Sequence, residues 1–361
     1  MGGTHTIGIV GLGVISRAYL DTLAGVDGVR IAAVADLDTA RADATAAALD
    51  GSRAMSTADL VADPQVDTVL NLTIPAAHAE VALAAIRHGK NVFGEKPLAA
   101  TLADASEVML AAAREGVSVG CAPDTVLGTG GQTARRAVDD GLIGAPVGAT
   151  ATWVSPGHEH WHPQPDFYYR AGGGPLLDMG PYYLTSLVHL LGPVVAVSGA
   201  ASRARTTREI ASGPRRGEIV PVEVDTHIAG VLEHAGGGIS TVTMSFDGVA
   251  TAARPLEVYG TEGALVLPDP NHHAGPVSRF PRRGAEWDTL PVSAGYEDAA
   301  RGIGLLDFLA GHRRAGGDVA LHVLEVMESL HAAAAAHTRI ELTTSVERPS
   351  PVPLTPASAW R

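Results

Sequence analysis

Cysteine is nearly absent: Cys121 stands alone among 361 residues. One thiol excludes an intramolecular disulfide and fits a reducing compartment. An excess of cations is also missing. Lys and Arg number 26 against 39 Asp and Glu, a formal charge of −13. That balance argues against nucleic acid or an anionic membrane as the main partner. The sequence has no long uninterrupted apolar run, so no membrane span is expected. The start, Met1-Gly2-Gly3-Thr4-His5, lacks a basic stretch, and residues 6–10 are too short for a signal-peptide core. Gly2-Gly3 superficially matches a myristoylation start, but position 6 is a threonine in an expected strand. Internal repeats and low-complexity tracts are missing as well. These absences together point to a soluble, cytoplasmic protein.

What is present suits two packed domains, since length and a 46% hydrophobic content allow two cores. Strand and helix patterns alternate at first. Strands are expected at 6–10, 30–34, 67–72, 91–93 and 117–121, with helices at 14–23, 39–49, 77–88 and 102–115. Such alternation predicts a doubly wound parallel sheet. After Pro123 the pattern changes. A helix at 133–140 and a strand at 147–154 precede a Pro/Gly/His-rich loop, 155–174. A helix at 184–191 then leads to strands near 194–200, 226–232, 238–246, 255–260 and 264–267. Strands that follow one another without helices predict a mostly antiparallel sheet. Residues 203–218 read as a loop, 305–309 and 319–337 as helices, and 340–342 as a last short strand. The expected fold class is α/β followed by α+β, with domains at 1–123 and 124–345 and a tail at 346–361.

Gly11-Leu12-Gly13-Val14-Ile15-Ser16 lies between a strand and a helix. Its first two glycines fit a dinucleotide fingerprint, with a tight turn and close backbone approach to a pyrophosphate. Ser16 replaces the third glycine. Asp36 ends the second strand, where a carboxylate accepts both ribose hydroxyls of NAD and repels a 2′-phosphate. NAD is therefore expected, with NADP as the alternative. The plainer reading of Asp36 is a turn residue or helix cap. Thr73-Ile74-Pro75-Ala76-Ala77-His78 ends the third strand and is expected near the cofactor, with a loop-orienting role for His78 as the alternative.

Gly94-Glu95-Lys96-Pro97 closes the fourth strand at its carboxyl end, where open α/β sheets bind ligands. Lys96 is well placed there to act on a ligand, although an exposed Glu-Lys pair in a turn is common. Further on, Asp178 and Tyr182 share a face if their segment is helical. A carboxylate and a phenol facing one cleft can orient and move a proton. The plainer reading makes Asp178 a cap and Tyr182-Tyr183 core aromatics. Pro181 fits only a first helical turn. His158, His160 and His162 would share one side of a strand and invite a zinc site, but the flanking prolines and glycine indicate a loop, so no metal is expected. Trp153, His158, Trp161, Arg170 and Tyr183 are candidate substrate contacts, the tryptophans by stacking on a sugar ring. Asp124 is a further candidate.

The chain resembles the glucose–fructose oxidoreductase / inositol dehydrogenase / MocA family. The resemblance rests on Gly8-Ile9-Val10-Gly11-Leu12-Gly13, Thr73-Ile74-Pro75 with His78, Gly89-Lys90-Asn91-Val92 leading to Glu95-Lys96-Pro97, Gly172-Gly173-Gly174 with Asp178-Met179-Gly180, and the closing helix around His322-Val323-Leu324-Glu325. It runs from about residue 6 to 344. It implies a Rossmann domain, a second domain on a large open-faced sheet, and a homodimer or homotetramer through that face. The cofactor contacts implied are Gly11, Gly13, Val14, Ile15, Asp36, Thr73, Pro75, His78, Glu95 and Lys96. The catalytic set implied is Lys96, Asp178 and Tyr182. The family's Asp-x-Gly-x-His motif falls on Asp178, Gly180 and Tyr182, so tyrosine stands where most relatives have histidine. An aspartate usual three residues later is Thr185. The implied activity is hydride transfer between nicotinamide and a secondary alcohol of a sugar, glycoside or polyol. A redox-assisted glycosidase and a non-catalytic dinucleotide- or sugar-binding regulator are the alternatives.

Overall fold

The computed structural model describes residues 4–361. Residues 1–3, with the Gly2-Gly3 start, lie outside the described residues. In chain order the main elements are β1 (His5–Val10), α1 (Ser16–Leu23), β2 (Val29–Ala35), α2 (Thr39–Ala47), β3 (Arg53–Ala54), α3 (Thr57–Ala62), β4 (Thr68–Asn71), α4 (Pro75–Arg87), β5 (Asn91–Gly94), α5 (Leu102–Glu115) and β6 (Val119–Cys121). Then come α6 (Thr129–Asp139), β7 (Pro146–Val154), α7 (Pro175–Leu191), β8 (Val194–Ser202), β9 (Thr207–Glu209), β10 (Ile219–Pro221), β11 (His227–His234), β12 (Ile239–Ser245), β13 (Leu256–Gly260), β14 (Ala264–Leu267), β15 (Ser278–Phe280) and β16 (Asp288–Thr289). The last are α8 (Ile303–Leu309), α9 (Gly317–Ala336) and β17 (Ile340–Glu341).

The chain forms two compact units. The first joins Met1–Thr129, Ala294–Leu324 and Pro349–Arg361. The second joins Gly130–Ser293 and Glu325–Arg348. These divisions differ from the contiguous domains expected, because local patterning carries no record of which distant segments share a core. In the first unit the six strands are parallel, in the order β3-β2-β1-β4-β5-β6. The order reverses between β1 and β4, the switch point where such sheets take ligands. Its core joins Ile7, Ile9, Val34, Leu70 and Phe93 to Tyr296, Ile303, Leu305, Ala315 and Val352. The expected tail is thus part of this core. Thr355 and Pro353 bridge to Tyr296 and Ala294, and the Trp360 indole N–H donates to the Glu297 carbonyl at 3.0 Å.

The second unit carries a nine-stranded sheet, ordered β16-β15-β14-β13-β7-β12-β11-β8-β17. Every pairing in it is antiparallel except β7 with β12. Inward and outward residues alternate along β11, as a half-covered sheet requires. Helix α7 covers β7, β11 and β12. It starts at Pro175, so Pro181 lies inside it rather than in its first turn. Pro181 cannot supply the N–H that would bond to the Leu177 carbonyl. Strand β9, within the segment expected to be a loop, pairs with β10 just after it in a two-stranded ribbon. Helix α9 is long and apolar enough to cross a membrane, contrary to the expectation from uninterrupted runs. Its Val323, Val326, Met327, Leu330 and Ala333 are buried in the protein, which accounts for its apolar character.

Candidate active site

In the first unit one row of residues ends four strands. Val10 pairs with Asn71, Asn71 with Gly94, and Gly94 with Cys121. The segments that follow β1, β4 and β5 therefore emerge side by side. After β1, Gly11 adopts φ +93°. A Cβ there would lie 2.7 Å from the carbonyl carbon and oxygen of Leu72, so only glycine fits. Gly13 has open space around it, and Val14 is fully exposed. The Ser16 hydroxyl donates to the Gly13 carbonyl at 2.7 Å, tying the loop to the start of α1 where the fingerprint's third glycine would stand.

Asp36 is not the helix cap; Asp38 takes that role by accepting from the Arg41 N–H. Instead Asp36 Oδ2 accepts the Leu12 N–H at 2.7 Å, and Oδ1 accepts the Asp38 N–H at 2.8 Å. Arg41 Nη1 also reaches Oδ1 at 3.5 Å, and Oδ2 has a second lone pair for a further donor. A left-handed turn, an open apex at Gly13 and a carboxylate fixed beside them fit a dinucleotide.

Lys96 follows β5 in a turn braced from two sides. Asn71 Oδ1 accepts the Thr73 hydroxyl at 2.7 Å, and its amide donates to the His78 carbonyl at 3.0 Å. His78 is buried, with Nδ1 2.6 Å from the Pro97 carbonyl and Nε2 3.0 Å from the Thr73 carbonyl. Both ring nitrogens face backbone carbonyls, which corrects its assignment as a cofactor contact. The ring clamps the Lys96-Pro97 turn to the Thr73 loop. On the other side, the buried Tyr19 hydroxyl donates to Glu95 Oε1 at 2.8 Å, while Glu95 Oε2 accepts the Lys96 N–H at 3.1 Å. Burial and the Glu95 carboxylate hold the Tyr19 phenol well above its ordinary pKa, so it stays a donor. The chain has two lysines. The other, Lys90, is buried and donates to the Asp63 carbonyl at 2.8 Å. Pro75 opens α4 and is exposed.

Asp124 is not placed to meet a substrate. It is fully buried, and its Oδ2 accepts the N–H groups of Gly302 and Gly304 at 2.7 and 3.0 Å. It thereby satisfies backbone donors at the start of α8, a need of every helix N-terminus.

The second unit assembles a different cluster. Asp178, in the first turn of α7, accepts a hydrogen bond from His158 Nε2 at 2.7 Å. Trp161 Nε1 donates to His158 Nδ1 at 3.1 Å. Ring centroids of Tyr168, Phe246, Trp161 and Trp153 lie 4.3, 4.8, 5.1 and 5.9 Å from that of His158. Asp178 is therefore a partner of the loop, not a cap. Tyr182 is buried, one turn further along the same helix. Tyr183 is a core residue whose hydroxyl donates to Asp269 at 3.0 Å, which removes it from the substrate contacts. Trp161 and Phe167 are more than half exposed, and each packs edge-on against His162. Arg170 is exposed at the end of the loop.

The three histidines do not gather. His158–His160 form a 3-10 turn in which His158 is buried and His160 exposed. Beneath them lies a network that sequence reasoning missed. Arg208, 3% exposed, donates to Glu159 and the Pro156 carbonyl at 3.0 and 2.9 Å, and also bonds Asp247. Tyr169 donates to Glu159 and accepts the His158 N–H. A buried arginine in a polar segment runs against composition rules. No periodic signal marks it.

A glycine loop after β1, a carboxylate held beside it at the end of β2 and a braced lysine after β5 fit an NAD-binding oxidoreductase domain. The comparisons agree. Residues 5–122 match the oxidoreductase family with an NAD-binding Rossmann fold, and 132–266 match the GFO/IDH/MocA C-terminal domain. The chain belongs to the GFO/IDH/MocA oxidoreductase family. A 1,5-anhydro-D-fructose reductase from Ensifer adhaerens is 32% identical over 60% of this chain and 61% of its own length. A myo-inositol 2-dehydrogenase from Thermotoga maritima is 26% identical over 72% and 74%. A levoglucosan dehydrogenase solved with NADH and L-sorbose has the same fold, at TM-score 0.78 and 17% identity over 95% of this chain and all of that one.

Proposed function

We propose that the protein is an NAD-dependent dehydrogenase or reductase acting on a secondary alcohol of a sugar or polyol. Lys96 and Tyr182 handle the hydroxyl proton, and Asp178 orients the reacting group. The observation that carries this reading is the bracing of the Lys96 turn by Tyr19–Glu95 and His78 at the end of β5. When bound, the nicotinamide supplies hydride transfer. The protein's own part is the proton. The names of the relatives support a sugar or polyol substrate, and the exposed ring of Trp161 suits the apolar face of a sugar. The test is a panel of sugars, glycosides and polyols, with NAD and NADP, read by the absorbance of reduced cofactor. Failure to turn over any of them sinks the reading.

Asp36 sets the cofactor preference. Its replacement by Ala is expected to weaken NADH binding about 10–100-fold, the worth of losing hydrogen bonds to a charged group. NADPH binding should suffer less, because the carboxylate that repels a 2′-phosphate is gone and Arg41 then keeps only one of its two carboxylate partners, Asp38. Fluorescence titrations with both cofactors check this; an unchanged NADH/NADPH ratio contradicts it.

We further infer a homodimer or homotetramer that covers the outer face of the nine-stranded sheet, where Val231, Ile239 and Tyr259 are exposed. Light scattering should give two or four times the 37.0 kDa chain mass, and Ile239→Lys should shift it toward one. A monomeric parent protein overturns this.

A further inference from the structure

An imidazole from outside helix α7 reaches Asp178. It comes from the loop, twenty residues earlier in sequence, with His158 Nε2 2.7 Å from Asp178 Oδ2. We propose that His158 is the positioning residue for Asp178, holding its carboxylate from the loop. This rests on the proposed role of Asp178 in orienting the reacting alcohol.

Three observations carry the assignment. The first is the tautomer. An indole N–H only donates, so Trp161 makes Nδ1 of His158 an acceptor. Nε2 then bears the hydrogen and donates it to Asp178. The second is the restraint on the ring. Four aromatic rings surround it, three of them tilted or edge-on within 5.1 Å, so it cannot turn away without breaking the cage. The third is the scaffold. Gly157 adopts φ +112°, and a Cβ there would collide with Glu159 Oε2 and the Tyr169 hydroxyl. Those groups, with Arg208, fix the His158 backbone, whose N–H donates to Tyr169 at 3.1 Å. A buried arginine and a glycine-only turn thus fix where one imidazole sits, and that imidazole meets the helix at Asp178.

The test compares His158→Leu, His158→Gln, Asp178→Asn and the His158→Leu/Asp178→Asn double variant. The substrate is 1,5-anhydro-D-fructose with NADH, or the best compound of the panel. His158→Leu should lower kcat about 10–100-fold, the worth of one charge-assisted hydrogen bond, with KM and NADH affinity changed less than about threefold. Gln retains a donor for Asp178 and should recover most of the loss. In the Asp178→Asn background, His158→Leu should add less than about threefold, because coupled residues are not additive. Normal kcat in His158→Leu, equal damage from Leu and Gln, or independent multiplication of the two losses each overturns the proposal. Loss in Lys96→Met with normal His158→Leu leaves the dehydrogenase reading standing and this one fallen. No turnover by the wild-type protein brings down the dehydrogenase reading itself, and this role with it.

Discussion

Lys96→Met should lower kcat about 10²–10⁴-fold, the range for losing a group that assists proton transfer, while NADH affinity stays within a few-fold. Methionine keeps the length and apolar stem of the side chain and removes only the ammonium. The Glu95 carboxylate remains held by the Tyr19 hydroxyl and the residue-96 N–H, so the turn should survive. No second lysine can substitute, because the Lys90 ammonium is buried on the Asp63 carbonyl. Steady-state kinetics and a fluorescence titration of NADH separate the two quantities. Tyr182→Phe belongs beside it. If both variants keep near-normal kcat, the proton assignment is wrong. If only the lysine variant fails, Tyr182 is a packing residue and Lys96 acts alone.

Arg208→Leu should cost about 3–5 kcal/mol of stability, the usual penalty for removing one partner of a buried charge network. Glu159 and Asp247 would then face each other's surroundings with no cation between them. For a unit of this size the loss corresponds to a fall in Tm of roughly 6–20 °C. Arg208→Lys should rescue little. Arg208 reaches two carboxylates and two backbone carbonyls, of Pro156 and Phe246, and an ammonium cannot span that fork. Adding Glu159→Gln and Asp247→Asn to Arg208→Leu should return part of the loss, because the stranded charges are then gone. Thermal melts followed by circular dichroism give the answer. A shift under about 2 °C for Arg208→Leu would mean that the network contributes little.

The Rossmann strands were legible because each is a short apolar run closed by a turn residue and followed by a helical period. The places of the glycine loop, Asp36 and Lys96 were legible for the same reason, since each follows a predicted strand end. The short β3 and α3 were missed for want of length. Partners far apart in sequence left no local trace. Asp124 meets the Gly302 N–H across 178 positions, and no pattern in either segment announces it. The parallel pairing of β7 with β12 depends on register chosen in three dimensions. The residues 203–218 looked like a loop because they are polar, yet one of their arginines is among the most buried charges. The partnership of His158 with Asp178 was hidden by a loop whose course only its cage defines.

The first unit is completed by residues from the far end of the chain. Val352 and Ala315 belong to the same core as Ile7 and Phe93. During synthesis, the 232 residues between Thr129 and Arg361 (361 − 129) must still be added after the six parallel strands are made. At about 5–20 residues per second this takes roughly 10–50 s. Throughout that interval the nucleotide-binding half waits with part of its apolar interior open to solvent. It closes only when residues 349–361 have been added, so this late segment acts as a latch on the domain that was begun first.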